Sequence, residues 1–92
     1  MEFEWDEDKN RTNIKKHGIS FESAKEIFSE PYLERLDNRQ DYGEERWVIL
    51  GKLNVVCVVL VYTDRVLKTR IISIRKANRE ETKIYRNRFP SA

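Results

Sequence analysis

The apolar positions of this chain change their spacing midway, and the change divides it into elements. The opening "EFEW" alternates, with Phe3 and Trp5 on one side, which predicts a short strand at a sheet edge. Asp6 follows as an N-cap, and Glu7 and Asp8 suit the positive end of a helix. That helix is predicted to run to about His17, with Gly18 ending it in the left-handed conformation. Ser20 is a second N-cap. Phe21, Ala24, Ile27 and Phe28 then recur at helical spacing and predict an amphipathic helix. Pro31 stops it, because the residue before a proline avoids the helical region.

Beyond Pro31 the period shortens. "PYLERLDN" predicts a weak strand, "RQDYGEE" a polar loop, and "ERWVILGK" a strand with Trp47 and Ile49 opposite Val48 and Leu50. After a tight turn at "LN", the run "VVCVVLVYT" is apolar on both sides, as expected of a central strand covered on both faces. "DRVL" turns the chain into the strand "KTRIISIRK". Strict alternation there puts Arg70 with Ile72 and Ile74, and puts Thr69, Ile71, Ser73 and Arg75 on the other side. "NREETKIYRNRF" predicts a closing helix. Asn78 and Glu81 form a capping-box pair, and Ile84, Tyr85 and Phe89 form one apolar stripe. The order β-α-α-β-β-β-β-α predicts one α+β domain over residues 1–92. Its closely spaced strands predict an antiparallel meander, with two N-terminal helices and one C-terminal helix packed on one face.

Composition narrows the function. Ninety-two residues suffice for one modest core. The single cysteine, Cys57, excludes an intramolecular disulfide and, in mid-strand, reads as an inert core thiol. The acidic opening lacks a secretory pattern, and the apolar run from Val55 to Tyr62 is too short to span a bilayer, so a cytoplasmic protein is expected. Charge is unevenly placed. Residues 1–45 hold 7 Lys/Arg against 13 Asp/Glu, and residues 46–92 hold 11 against 3. The halves carry −6 and +8, which give the net +2. A basic half of this size points to a polyanion or an acidic protein as partner.

Several chemistries are excluded by the residues available. There is no Gly-rich phosphate loop, and one histidine with one cysteine makes no zinc site. The acidic residues show no metal-binding spacing, so no cofactor is expected. Arginines, lysines, one histidine and a tyrosine remain. Arg46 begins one strand, and Arg70 and Arg75 flank the apolar part of another. Lys76, Arg79, Lys83 and Arg86 extend the cationic surface along the last strand and helix, where they suit phosphates. Tyr85 falls on the apolar stripe, a packing position. His17 sits in the last turn of its helix, where the helix dipole alone favours a cation. Such a set is compatible with RNA cleavage by the 2′-hydroxyl. That reaction needs a base, cations for the charge gathering on phosphorus, and an acid for the leaving oxygen.

"FEWDEDKNRTNIKKHGISFESAKEIF" carries the pattern F-x-W-D-x-x-K-x-x-x-N-x-x-K-H-G-I-x-F-x-x-A-x-x-x-F. "RIISIRKANREETKIY" carries R-I-I-S-x-R-x-A-x-x-x-E-x-x-x-Y, and "GEERW" supplies Glu45 and Arg46. In these segments the chain resembles the BrnT-type toxins of bacterial type II toxin–antitoxin systems. The resemblance implies a RelE-like fold and a metal-independent ribonuclease that arrests translation. It also implies a BrnA-type antitoxin partner, through which the complex would reach operator DNA. Asp6, Gly18, Phe21, Ala24, Phe28, Asn78 and Glu81 have structural reasons to be there. Lys16, His17, Glu45, Arg46, Arg70, Arg75 and Tyr85 are left as site candidates. Arg46, Arg70 and Arg75 would hold the scissile phosphate, His17 or Glu45 would move protons, and Tyr85 would orient the substrate. The alternatives are a non-catalytic basic module that binds the antitoxin or DNA, and a decayed, inactive toxin.

Overall fold

The computed structural model describes residues 1–39 and 41–92; Gln40, part of the expected polar loop, lies outside the described residues. Among the described residues the chain forms β1 (Phe3–Glu4), α1 (Glu7–His17), a 3₁₀ turn (Phe21–Ser23) and α2 (Ala24–Ser29). It continues with β2 (Leu33–Asp37), β3 (Arg46–Leu53), β4 (Val56–Asp64), β5 (Thr69–Lys76) and α3 (Arg79–Arg88). The α+β class is the expected one. The antiparallel meander is not complete, because the sheet is mixed: its order is β1-β5-β4-β3-β2, and β1 lies parallel to β5. Only Phe3 and Glu4 make this pairing, opposite Thr69 and Arg70. A two-residue strand from the far end of the chain offers no local signal that fixes its direction.

Local chemistry sets the helix ends. The Asp6 carboxylate accepts from the backbone N–H groups of Asp8 and Lys9. Those bonds hold its carboxyl below the usual value, with the Lys9 N–H the larger cause. Gly18 adopts φ 70° and ends α1. The expected second helix is split, because Ser20 caps a 3₁₀ turn before six α-helical residues begin at Ala24.

One sheet face is closed. Ile49, Val58, Leu60, Tyr62, Ile71 and Ile74 point from it into Ile19, Phe21, Ala24 and Ile27, and most of these side chains are fully buried. Gly51 lets α2 approach, since a Cβ there would meet the Ile27 Cγ2 at 3.1 Å. α1 contributes little apolar surface, and its Ile14 is exposed. Two buried amides hold it instead. Asn13 donates to the carbonyls of Ile19 (2.9 Å) and Ile74 (2.8 Å), and accepts from the Ile74 N–H. Its side chain thus takes the place of a strand partner on β5 beyond the end of β1. Asn10 accepts from the Phe21 N–H at 2.8 Å, which ties α1 to the turn after it.

The other face carries α3, a departure from the expectation that all helices share one side. Tyr85 is 1% exposed, and its hydroxyl donates to the Pro31 carbonyl at 2.8 Å. Its ring lies 5.2 Å from that of Phe89. The reason lies in β4, whose Cys57 and Val59 are buried on this side as Val58 and Leu60 are on the other. The central strand is apolar on both sides, so both sides need cover. A ten-residue helix covers only part of a sheet face, and the rest of this one is left open.

Candidate functional site

A β-bulge decides what that open face carries. Register shifts between Val61 and Tyr62: Tyr62 stands opposite Ile71, and Val61 opposite Ser73. Ile72 is therefore the extra residue, and alternation inverts across it. Strict alternation would put Arg70 and Arg75 on opposite sides. The bulge places Ile71 and Ile74 together in the core, and turns Arg70, Ser73 and Arg75 to the open face with Val59, Val61 and Thr63. Arg46 joins them from β3, where it stands opposite Asp37 on β2, and so does Arg35, opposite Val48. Four arginines from three strands thus share one surface.

They do not converge on one point. Arg46 and Arg70 lie toward one end, near Thr63, which pairs with Arg70 and donates to the Glu45 carbonyl. Arg75 lies opposite Val59, roughly 13–16 Å along β5 at the usual strand rise. The spread suits successive backbone phosphates better than three contacts to a single one.

Each guanidinium is held differently. Arg46 lies 4.0 Å over the Tyr42 ring and 3.7 Å from the Glu44 carboxylate. The Nε that faces Glu44 is buried and makes no hydrogen bond, so the Glu44 carboxylate holds it by charge alone. Arg70 faces Glu4 at 3.8 Å. Arg75 makes a two-pronged bond to Glu81, Nη1 to Oε1 and Nη2 to Oε2, both 2.9 Å. Glu81 is thereby held below the usual carboxylate range, chiefly by this bond, and Arg75 is raised. Opposite Arg46, Asp37 is buried and bonded to Arg39, which holds its carboxyl below the usual value. An apolar groove of about 340 Å³ adjoins Arg75, walled by Leu33, Val48, Leu50, Val59 and Ile84, with Glu81 at its rim.

The remaining candidates lie around this face. Lys16 and His17 are exposed at the end of α1, where they line a polar recess with Lys9, Thr12 and the bulged Ile72–Ser73 of β5. Glu45 is exposed just before β3. Lys76, Arg79, Lys83 and Arg86 are exposed along the end of β5 and α3. Tyr85 is not gathered into the open face, because its ring is core and its hydroxyl is occupied. Sequence reasoning missed Arg35, which reaches the site through strand pairing, and Arg39 and Tyr42, which reach it from the loop between β2 and β3. It took Glu81 as a cap alone. Among the described residues no three His, Cys, Asp or Glu side chains gather as a metal site. No helix there is long and apolar enough to cross a membrane.

A comparison with family models matched residues 5–81 to the one described as ribonuclease toxin, BrnT, of type II toxin-antitoxin system. The match spans the asparagine-anchored helix, the 3₁₀ turn and α2, strands β2 to β5 and the start of α3, including Glu81. A comparison with curated proteins found no match.

Proposed function

The chain belongs to the BrnT family of ribonuclease toxins of type II toxin–antitoxin systems, and we propose that its arginine-bearing sheet face holds RNA for cleavage. A toxin of this class is paired with a protein antitoxin. The observation that carries the reading is the bulge at Ile72, which turns Arg70 and Arg75 to the side already bearing Arg46.

The proposed reaction is metal-independent transesterification. The 2′-hydroxyl attacks the adjacent phosphorus, the bond to the 5′-oxygen breaks, and a 2′,3′-cyclic phosphate remains. A base takes the 2′-hydroxyl proton, and an acid protonates the departing 5′-oxygen. Arg75 would hold the scissile phosphate, since its fork is fixed by Glu81 and half of it faces outward. Arg46 and Arg70 would hold phosphates farther along the strand. Cations preset toward developing charge stabilise the transition state without reorganising. His17 or Glu45 is the proposed proton carrier: His17 shares a recess with Ser73 of β5, whereas Glu45 stands at the Arg46–Arg70 end and would serve only a phosphate held there. Tyr85 supports α3 beneath this face. Lys16, Lys76, Arg79, Lys83 and Arg86 would add salt-sensitive attraction for RNA.

The fold is proposed to be RelE-like, and the partner a BrnA-type antitoxin that also carries the complex to operator DNA. The test is induction in a bacterium that lacks the antitoxin, with growth and RNA integrity followed together. Growth arrest with RNA fragmentation is expected, relieved by Arg70→Ala or Arg75→Ala. Normal growth and intact RNA, with soluble folded protein present, would reject the reading. Salt-dependent RNA or DNA binding without cleavage would identify a binding module instead.

A further inference from the structure

We infer that Glu81 is a positioning residue: it fixes the Arg75 guanidinium so that one edge of its fork faces the RNA phosphate. This rests on the proposed placement of RNA over the arginine face.

The geometry of the pair carries the inference. A guanidinium has five N–H donors in one plane, arranged as an end-on pair, a side-on pair and one donor beside the stem. Glu81 takes the end-on pair, with one oxygen on Nη1 and the other on Nη2. The second Nη1 donor goes to the Lys76 carbonyl at 3.2 Å. Nε–H and the remaining Nη2–H form the side-on pair, and neither has a partner among the described residues. These two donors lie parallel, at the spacing that matches two oxygens of a phosphate. The Arg75 side chain is 42% exposed, so the free edge is accessible, while Glu81 at 26% is the more enclosed partner. Glu81 therefore holds the arginine by the edge that RNA does not need.

The same carboxylate also starts the helix. Its Oε1 accepts from the Asn78 N–H at 2.8 Å, while the Asn78 side chain accepts from the Glu81 N–H. This capping box explains why the sequence carries an acid or amide there. It does not explain why the second oxygen is spent on Arg75. A capping box accepts glutamine as well as glutamate. Glutamine could keep the bonds at Oε1, but its Nε2 would set a donor against the Nη2 donor of Arg75. The two functions can therefore be separated by single substitutions. Glu81→Gln keeps the cap and loses the fork. Asn78→Ala weakens the cap and leaves both carboxylate oxygens for the fork.

The experiment uses the full-length purified protein and a short RNA oligonucleotide that it cleaves. Helicity, melting temperature, kcat and KM are measured for the wild type, Glu81→Gln, Asn78→Ala, Arg75→Ala and the double variant Glu81→Gln/Arg75→Ala. Glu81→Gln should keep the wild-type helicity and lose about tenfold in kcat, with KM changed less than threefold, because a fork that has swung away weakens the transition state more than the ground state. The double variant should be no slower than Arg75→Ala alone, since without the arginine there is nothing left to position. Asn78→Ala should melt earlier and retain kcat. Two results would overturn the inference while leaving the ribonuclease reading intact. One is wild-type kcat in Glu81→Gln where Arg75→Ala is slow. The other is a loss in Asn78→Ala matching that in Glu81→Gln, which would trace the effect to helix docking. Equal cleavage by the wild type and Arg75→Ala would instead remove Arg75 from the site, and the inference with it.

Discussion

The two faces of this sheet are built from the same strands and obey different rules. The face under α1, the 3₁₀ turn and α2 is closed by aliphatic and aromatic side chains, and Phe21, Ala24, Ile27, Ile49, Leu60 and Ile74 there have no exposed surface. Its buried amides, Asn10 and Asn13, are bonded through both oxygen and nitrogen. The opposite face is partly covered by α3, and its open part holds four arginines. Burial specifies the first face, and charge is concentrated on the second. One inserted residue, Ile72, keeps the two apart, because without it a core isoleucine and a surface arginine of β5 would exchange sides. A strand can thus serve a dry core on one side and an open, charged face on the other if its alternation is broken at the right place.

Variants that strike one face should leave the other's signature intact. The largest effect is expected at Phe21→Ala, where removing a fully buried ring should cost about 3–5 kcal/mol of stability. Urea denaturation would measure it, and toxicity should fall only because folded protein is scarce. Asn13→Ala comes next. It leaves the buried Ile74 N–H and the Ile19 and Ile74 carbonyls without their partner, at about 2–3 kcal/mol in total. Hydrogen exchange at Ile74 should accelerate, which distinguishes a lost edge partner from general loosening. Tyr85→Phe is smaller, about 1 kcal/mol for the bond to Pro31, and should leave RNA cleavage near the wild-type rate. A large loss of cleavage with little loss of stability would move Tyr85 from packing to chemistry.

The smallest effect is in pH dependence. Arg75 holds the Glu81 carboxyl below its ordinary value of 4.5, so the folded protein keeps the charged form to lower pH than the unfolded chain does. That contribution is complete above the ordinary value and disappears as pH falls through the lowered one. The stability gap between the wild type and Glu81→Gln should therefore close on acidification. The pair is partly exposed, which keeps the gap modest. A gap that widened in acid would mean that the carboxylate is not stabilised in the folded state.

Much of this organisation is legible from sequence. The strands, the caps at Asp6, Ser20 and Asn78, and the stop at Gly18 follow from local propensity, and the apolar run of β4 calls for cover on both faces. What escapes is set by distant pairing. β1 finds its parallel place only when residues 69 and 70 arrive. The side taken by α3 depends on which face the earlier helices have already filled. Asn13 matters because it meets Ile74, 61 residues away. The arginine surface was hidden by one residue: alternation places Arg70 and Arg75 apart, and nothing in "RIISIR" announces that Ile72 will bulge. Glu81 was legible as a cap and not as a ligand of Arg75, because the cap is local and the ion pair crosses between two elements.

The most direct test of the division between the faces compares Arg75→Ala with the wild type in purified form, with RNA cleavage and thermal unfolding measured on the same samples. The expected result is a fall in kcat/KM of about 100-fold or more, the usual scale for removing one preset charge-stabilising donor, with a melting temperature shifted by only a few degrees. Undiminished cleavage by the folded variant would contradict the assignment of RNA to the arginine face.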